Sequence, residues 1–188
     1  MVQIKLTDDD LLYFRENYPS LKYSAVDNII SGTLFYDLSY QGVRIKDSYN
    51  IQFKLSSNDN SILPTVNETE GKILSIARRK RIPESELHLN NTQGELCLII
   101  PPKEKEKYPG GFNLKIFLNH IEEHLYWISF YDRYEKPPWK DQAHGADGYI
   151  ELYNENSSFR DDVKQLLESI EKRPLSRSEI RRIIKKRK

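Results

Sequence analysis

Apolar and polar positions alternate most regularly at Tyr49, Ile51, Phe53 and Leu55, with Asn50, Gln52 and Lys54 between them. A period of two is the signature of a strand with one face in the core. Residues 33–40 have the same strand character, and Gln41-Gly42-Val43-Arg44 between the two runs predicts an antiparallel hairpin. A polar turn cluster at 56–60 leads to 62–66, expected as a short third strand whose Pro64 favours an edge or a strand entrance. Helical spacing governs other stretches. Leu11, Phe14 and Tyr18 follow the acidic Asp8-Asp9-Asp10 and predict an N-terminal helix ended by Pro19. Leu114, Phe117, Leu118, Ile121, Leu125 and Ile128 fall on one face of the longest expected helix, 112–131, with Asn113 as its N-cap. Val163, Leu166, Leu167 and Ile170 predict a helix over 159–171, and Ser176-x-x-Glu179 has the capping-box pattern for a short basic helix running to Lys188. Three stretches carry no such period. Residues 68–86 lack one, 103–111 read as a charged loop after Pro101-Pro102, and 143–148 read as a tight loop.

Composition narrows this α+β picture. A chain of 188 residues fits one domain, expected over 1–172, with a basic tail helix over 173–188. A formal net charge of +1 gives no long-range field that would by itself draw a polyanion. The basic run Arg78-Arg79-Lys80-Arg81 reads as a solvated loop; it lacks the interleaved aromatics of a nucleic-acid surface, so nucleic acid is not expected as a partner. The tail, with Arg181, Arg182, Lys185, Lys186, Arg187 and Lys188, reads as a soluble chain end. Lys5 and Asp8-Asp9-Asp10 interrupt any signal-like apolar run, and no window of about eighteen apolar residues exists, so a soluble, cytoplasmic protein is expected. His120 and His124 have metal-ligand spacing, but Ile121 stands where a His-Glu-x-x-His motif needs its Glu; a half-exposed helical face without metal is the simpler expectation. No phosphate-binding glycine motif is present, and no cofactor is expected.

Candidate chemistry centres on Cys97, the single cysteine, which excludes an intramolecular disulfide and a four-thiolate zinc site. A thiolate is a strong soft nucleophile, and nearby His88 and Asn90 offer a polar setting for a carbonyl oxygen. Between Leu96 and Leu98 the same residue also reads as a small buried hydrophobe.

The order of elements, with His88-x-Asn90 ahead of Gly94-Glu95-Leu96-Cys97-Leu98, resembles the ubiquitin-conjugating (ubiquitin carrier) fold. There a His-Pro-Asn triplet precedes the catalytic cysteine and a Gly lies three residues before it. The likeness is greater to the prokaryotic branch of these carriers. It extends to Pro64-x-Val66-x-Glu68-Thr69-x-Gly71-x-Ile73 and to a later Trp139…His144-Gly145 segment, covering roughly 33–153. Leu89 replaces the triplet's proline, and the turn is one residue shorter than in the eukaryotic enzymes, so Asn91 is an equally reachable substitute for Asn90.

The resemblance implies a cysteine acyltransferase. Cys97 would form a thioester and pass the acyl group to a lysine amine, with Asn90 stabilising the oxyanion. His88 would shape the loop; His144 would either accept a proton, with Asp147 to orient it, or order its own loop by packing against Trp139. The implied acyl donor is the C-terminus of a modifier or of a nucleotidyltransferase, in a ubiquitin-like conjugation operon or in antiphage defence. The length leaves no space for an adenylating domain, so either an activating enzyme would be a separate chain or the protein would take its acyl group some other way. A non-catalytic interaction module that keeps this fold and binds a partner protein is the alternative from another class. A Cys-His hydrolase fits less well, because the cysteine lies in a strand-like segment rather than at a helix start.

Overall fold

The structure is a computed structural model that describes residues 2–57, 61–140, 142–143 and 145–186. The elements in order are β1 (Val2–Gln3), α1 (Asp8–Asn17), β2 (Leu21–Ser24), β3 (Ile29–Tyr40), β4 (Val43–Lys54), β5 (Ser56–Ser57), β6 (Val66–Glu68), α2 (Lys72–Lys80), α3 (Pro101–Lys107), α4 (Leu114–Tyr134), α5 (Gly145–Glu155), α6 (Arg160–Glu171) and α7 (Arg177–Lys186). Single 3-10 turns lie at Glu84–Leu87 and Ser157–Phe159. The chain is α+β and divides into two compact units, Met1–Lys140 and Asp141–Lys188. Among the described residues no helix is long and apolar enough to cross a membrane.

In the first unit, β2, β3, β4 and β6 form one antiparallel sheet in that order, a meander. The expected hairpin is β3–β4. Its connection shortens to Gln41-Gly42, with φ of +46° and +82°, the two-residue turn whose twist matches paired strands. Tyr49, Ile51, Phe53 and Leu55 are all buried, as their alternation predicts. The third strand is displaced from its expected place: Val66–Glu68 pairs with Ile51–Phe53 of β4, whereas 62–65 is irregular because Pro64 has no N–H to donate.

The apolar face of α4 named above is wholly buried, and its Asn113 side chain accepts from the Ile116 N–H. Phe117 meets Phe53 edge-on at 5.4 Å between centroids. Ser129 sits where this helix crosses the strands. It donates to Asp47 Oδ2 at 2.8 Å, accepts from the Tyr36 hydroxyl at 2.7 Å, and shares a 2.8 Å hydrogen bond with Tyr49. Lys72 Nζ closes the group on Asp47 Oδ1 at 2.6 Å. Burial alone would raise the Asp47 carboxyl; hydrogen bonds from Lys72, Ser129 and the Ser48 N–H outweigh it and hold the group below its usual range.

Three stretches expected to be irregular are helical. Within 68–86, α2 buries Ile73, Ile76 and Ala77; its N-cap Gly71 offers no side chain, and the buried Glu68 carboxylate accepts instead from the Ile73 N–H in the first turn and from the Glu70 N–H just before the helix. The loop expected at 103–111 is largely α3. Prolines occupy its first turn, where no intrahelical N–H is needed. Residues 145–148, expected in a tight loop, are the first turn of α5.

In the second unit α5, α6 and α7 bury Leu152, Val163, Leu167, Ile180 and Ile184, while Ile170, expected on the packed face of α6, is half exposed. The capping box of α7 is formed: the Ser176 N–H donates to Glu179, and the Glu179 N–H donates to the Ser176 hydroxyl. Arg187 and Lys188 of the expected basic tail lie outside the described residues.

Candidate active site

Residues 88–97 form a miniature antiparallel hairpin. Leu89 and Leu96 are bridged and buried, and around them the Asn90 N–H donates to the Glu95 carbonyl at 2.8 Å and the Cys97 N–H to the His88 carbonyl at 2.7 Å. The turn between is shaped by Asn91, whose Oδ1 accepts from Gln93 N–H at 2.9 Å and Glu95 N–H at 3.3 Å. Gly94 closes it at φ +87°. A Cβ there would run into the Glu68 carbonyl oxygen, so only glycine fits. The far side of the hairpin is sewn to β6: Glu68 N–H donates to the Gly94 carbonyl and Leu96 N–H to the Val66 carbonyl, each at 2.8 Å.

This geometry brings three of the four expected site residues together. Cys97 is half-buried in extended backbone. His88 caps the 3-10 turn at φ +56° and is buried, its ring edge-on to Trp127 at 4.3 Å and to His124 at 5.4 Å, both on α4. Asn90 donates through Nδ2 to Glu95 Oε1 at 2.9 Å and, more weakly, to the Leu96 carbonyl at 3.4 Å. Asn91, its alternative, donates through Nδ2 to Glu95 Oε2 at 2.8 Å. His144 lies outside the described residues; Asp147, offered as its orienting group, is exposed on the first turn of α5.

No protein-family model, curated protein or solved structure matches this chain.

His120 and His124 are not on a half-exposed face. Both are buried, because α4 is covered on a second side by the 88–98 segment and Tyr108. Burial, reinforced by nearby Lys107, pulls His120 down to about 3 against a hydrogen bond with the Leu98 backbone that favours the proton. A carbonyl can only accept, so a ring N–H donates to Leu98. That leaves Nδ1 to accept from the Tyr108 hydroxyl 2.8 Å away, whose own proton burial makes harder to lose. A neutral imidazole thus ties α4 to the residue after Cys97. Among the described residues no group of three or more His, Cys, Asp or Glu side chains is placed to hold a metal ion.

The basic run is not a solvated loop either. It is the last turn of α2 and its cap, where cations suit the helix dipole. Arg79 pairs with Asp132 at 2.6 Å and Lys80 with Glu135 at 3.2 Å. Trp139, placed with His144 in the family likeness, stacks on Tyr126 and meets Tyr40 edge-on.

Sequence reasoning missed Glu95, Trp127 and Tyr108. For Glu95 a signal was present: two residues before Cys97 in an extended segment, it shares the cysteine's face. The arrangement offers a half-buried cysteine on a hairpin whose turn carries two carboxamides, the hairpin being bonded to β6 on one side and packed through His88 on α4 on the other.

Proposed function

We propose that this chain is a ubiquitin-carrier-like cysteine acyltransferase of the prokaryotic type. The observation that carries the reading is the hairpin in which His88 and Cys97 are paired across the backbone and two carboxamides stand on the connecting turn. The meander, the extended segment after it and the buried helix α4 support it as a carrier-type arrangement. The Cys97 thiolate attacks the carbonyl of an activated protein C-terminus, presented by a separate activating chain. The leaving group departs with the electron pair, and a lysine amine then takes the acyl group from the thioester as an isopeptide. Each step passes through a tetrahedral oxyanion, and one oriented carboxamide donor is worth about 3–4 kcal/mol there. His88, buried against Trp127 and His124, shapes the hairpin. The setting is cytoplasmic, in a modifier-conjugation or antiphage system whose acyl donor is a modifier or nucleotidyltransferase C-terminus.

Intact-mass analysis of the chain co-expressed with its operon neighbours tests this. The expected result is an adduct that thiols remove, lost in Cys97→Ala and converted to a thiol-resistant ester in Cys97→Ser. Unchanged function in Cys97→Ala, with a thiol inert to alkylation in the folded chain, would sink the reading. That result would favour the non-catalytic interaction module, to which the engagement of both carboxamides by Glu95 also lends support.

A further inference from the structure

An oxyanion site needs N–H groups aimed at the developing negative charge, yet here both carboxamides are aimed at a carboxylate. Glu95 Oε1 takes Asn90 Nδ2 at 2.9 Å and Oε2 takes Asn91 Nδ2 at 2.8 Å, one oxygen to each. The two hydrogens of Asn90 Nδ2 are both engaged, the second on the Leu96 carbonyl. Leu96 is buried between half-buried Glu95 and Cys97, so alternation along the extended backbone sets the carboxylate and the thiol on one face, about 7 Å apart along the chain. A carboxylate in that place mimics the charge of a tetrahedral oxyanion, occupies its donors and repels a second anion.

Resting on the acyltransfer reading of Cys97, we infer that Glu95 is a built-in plug of the oxyanion donors. It suppresses acylation of Cys97 by stray activated esters until a docked acyl donor moves the carboxylate aside. The plug separates two reactions of the same thiol. With p-nitrophenyl acetate the thiolate sulfur bonds to the acetyl carbon, the C–O bond breaks, and p-nitrophenolate leaves with the electron pair; the thiol proton has gone to the buffer. That path runs through an oxyanion. With iodoacetamide the sulfur displaces iodide at carbon and no oxyanion forms, so alkylation reports thiolate content and access alone.

The experiment measures both rates across pH for the intact chain and for Glu95→Ala. Removing the carboxylate is expected to raise acylation relative to alkylation by about tenfold or more, toward the effect of one oxyanion donor. The gain should disappear when Asn90→Ala and Asn91→Ala are added. Glu95→Gln, which keeps the side-chain volume and can accept from one asparagine at a time, should show a smaller gain of the same sign, and it carries the test if the alanine variant does not fold. An unchanged or lowered ratio at a thiol that alkylates readily overturns the plug and leaves the acyltransfer reading standing. A thiol inert to iodoacetamide in every folded variant overturns both.

Discussion

Acidification should act on the segment that carries Cys97 through His120, because a neutral imidazole there ties Leu98 and Tyr108 to α4. The ring's ordinary value of 6.5 falls to about 3 in the folded chain, burial being the larger cause and Lys107 the smaller. The unfolded chain therefore takes up this proton near pH 6.5 and the folded chain only near pH 3. The stabilisation is complete above the upper value and is lost progressively as pH falls toward the lower one. Each pH unit between them corresponds to about 1.4 kcal/mol, so this one group removes about 3 kcal/mol by pH 4 and about 5 kcal/mol at its limit. Against a domain stability of roughly 5–15 kcal/mol that is a large share. The assay is urea unfolding of the wild type and of His120→Gln at several pH values between 7.5 and 4. Glutamine can donate to Leu98 and accept from Tyr108 without titrating, and every carboxylate contributes equally to both chains. The two stability curves should converge or cross as pH falls, their difference changing by about 3 kcal/mol in favour of the variant. Parallel curves would refute the reasoning, since they would mean that the folded chain accepts the proton as readily as the unfolded one.

Gly94→Ala should cost about 2–4 kcal/mol in urea unfolding, combining a left-handed φ with a clash against backbone that cannot swing away; a loss below about 1 kcal/mol would show that the turn relaxes freely. Ser129→Ala should cost about 2–4 kcal/mol by the same measurement, because Tyr36 and Tyr49 lose a buried partner and Asp47 loses a donor. Asp132→Ala, which frees the exposed Arg79 side chain and leaves the half-buried Lys80 its second partner Glu135, should change stability by no more than about 1 kcal/mol; a larger loss in thermal or urea unfolding would mean that the end of α2 depends on Asp132.

Elements defined by local periodicity were legible in the sequence. The β3–β4 hairpin, α1 behind its acidic first turn, the core face and Asn113 cap of α4, and the Ser176–Glu179 capping box all follow from spacing and end chemistry. What was missed depends on contacts between distant residues. Helix α2 follows Gly71, which has no capping side chain, and its cap comes from Glu68 on the preceding strand. Pro101-Pro102 reads as a breaker, although the same ring geometry suits a first helical turn. His120 and His124 lie beside the apolar stripe of α4, and only the covering of a second face by Tyr108 and His88 puts them in the interior. At the candidate site, the spacing of His88, Asn90, Gly94 and Cys97 pointed to one loop. The partner of the carboxamides did not show itself, since the Asn90–Glu95 contact exists only once the hairpin has closed.

The stitching of the Cys97 hairpin to β6 also sets an order of assembly. Strands β3 and β4 are joined by a two-residue turn and pair along their whole length, so their contacts close short loops and form early. The bonds from Glu68 to Gly94 and from Leu96 to Val66 presuppose that β6 has already found β4, which it contacts over three residues. In pulse-labelled hydrogen exchange during refolding, the amides of β3 and β4 should gain protection before those of Asn90 and Cys97; simultaneous protection would contradict this order. Cys97, the proposed nucleophile, would thus be mounted on a piece set in place after the central strands, and on one that loosens before them when the fold breathes.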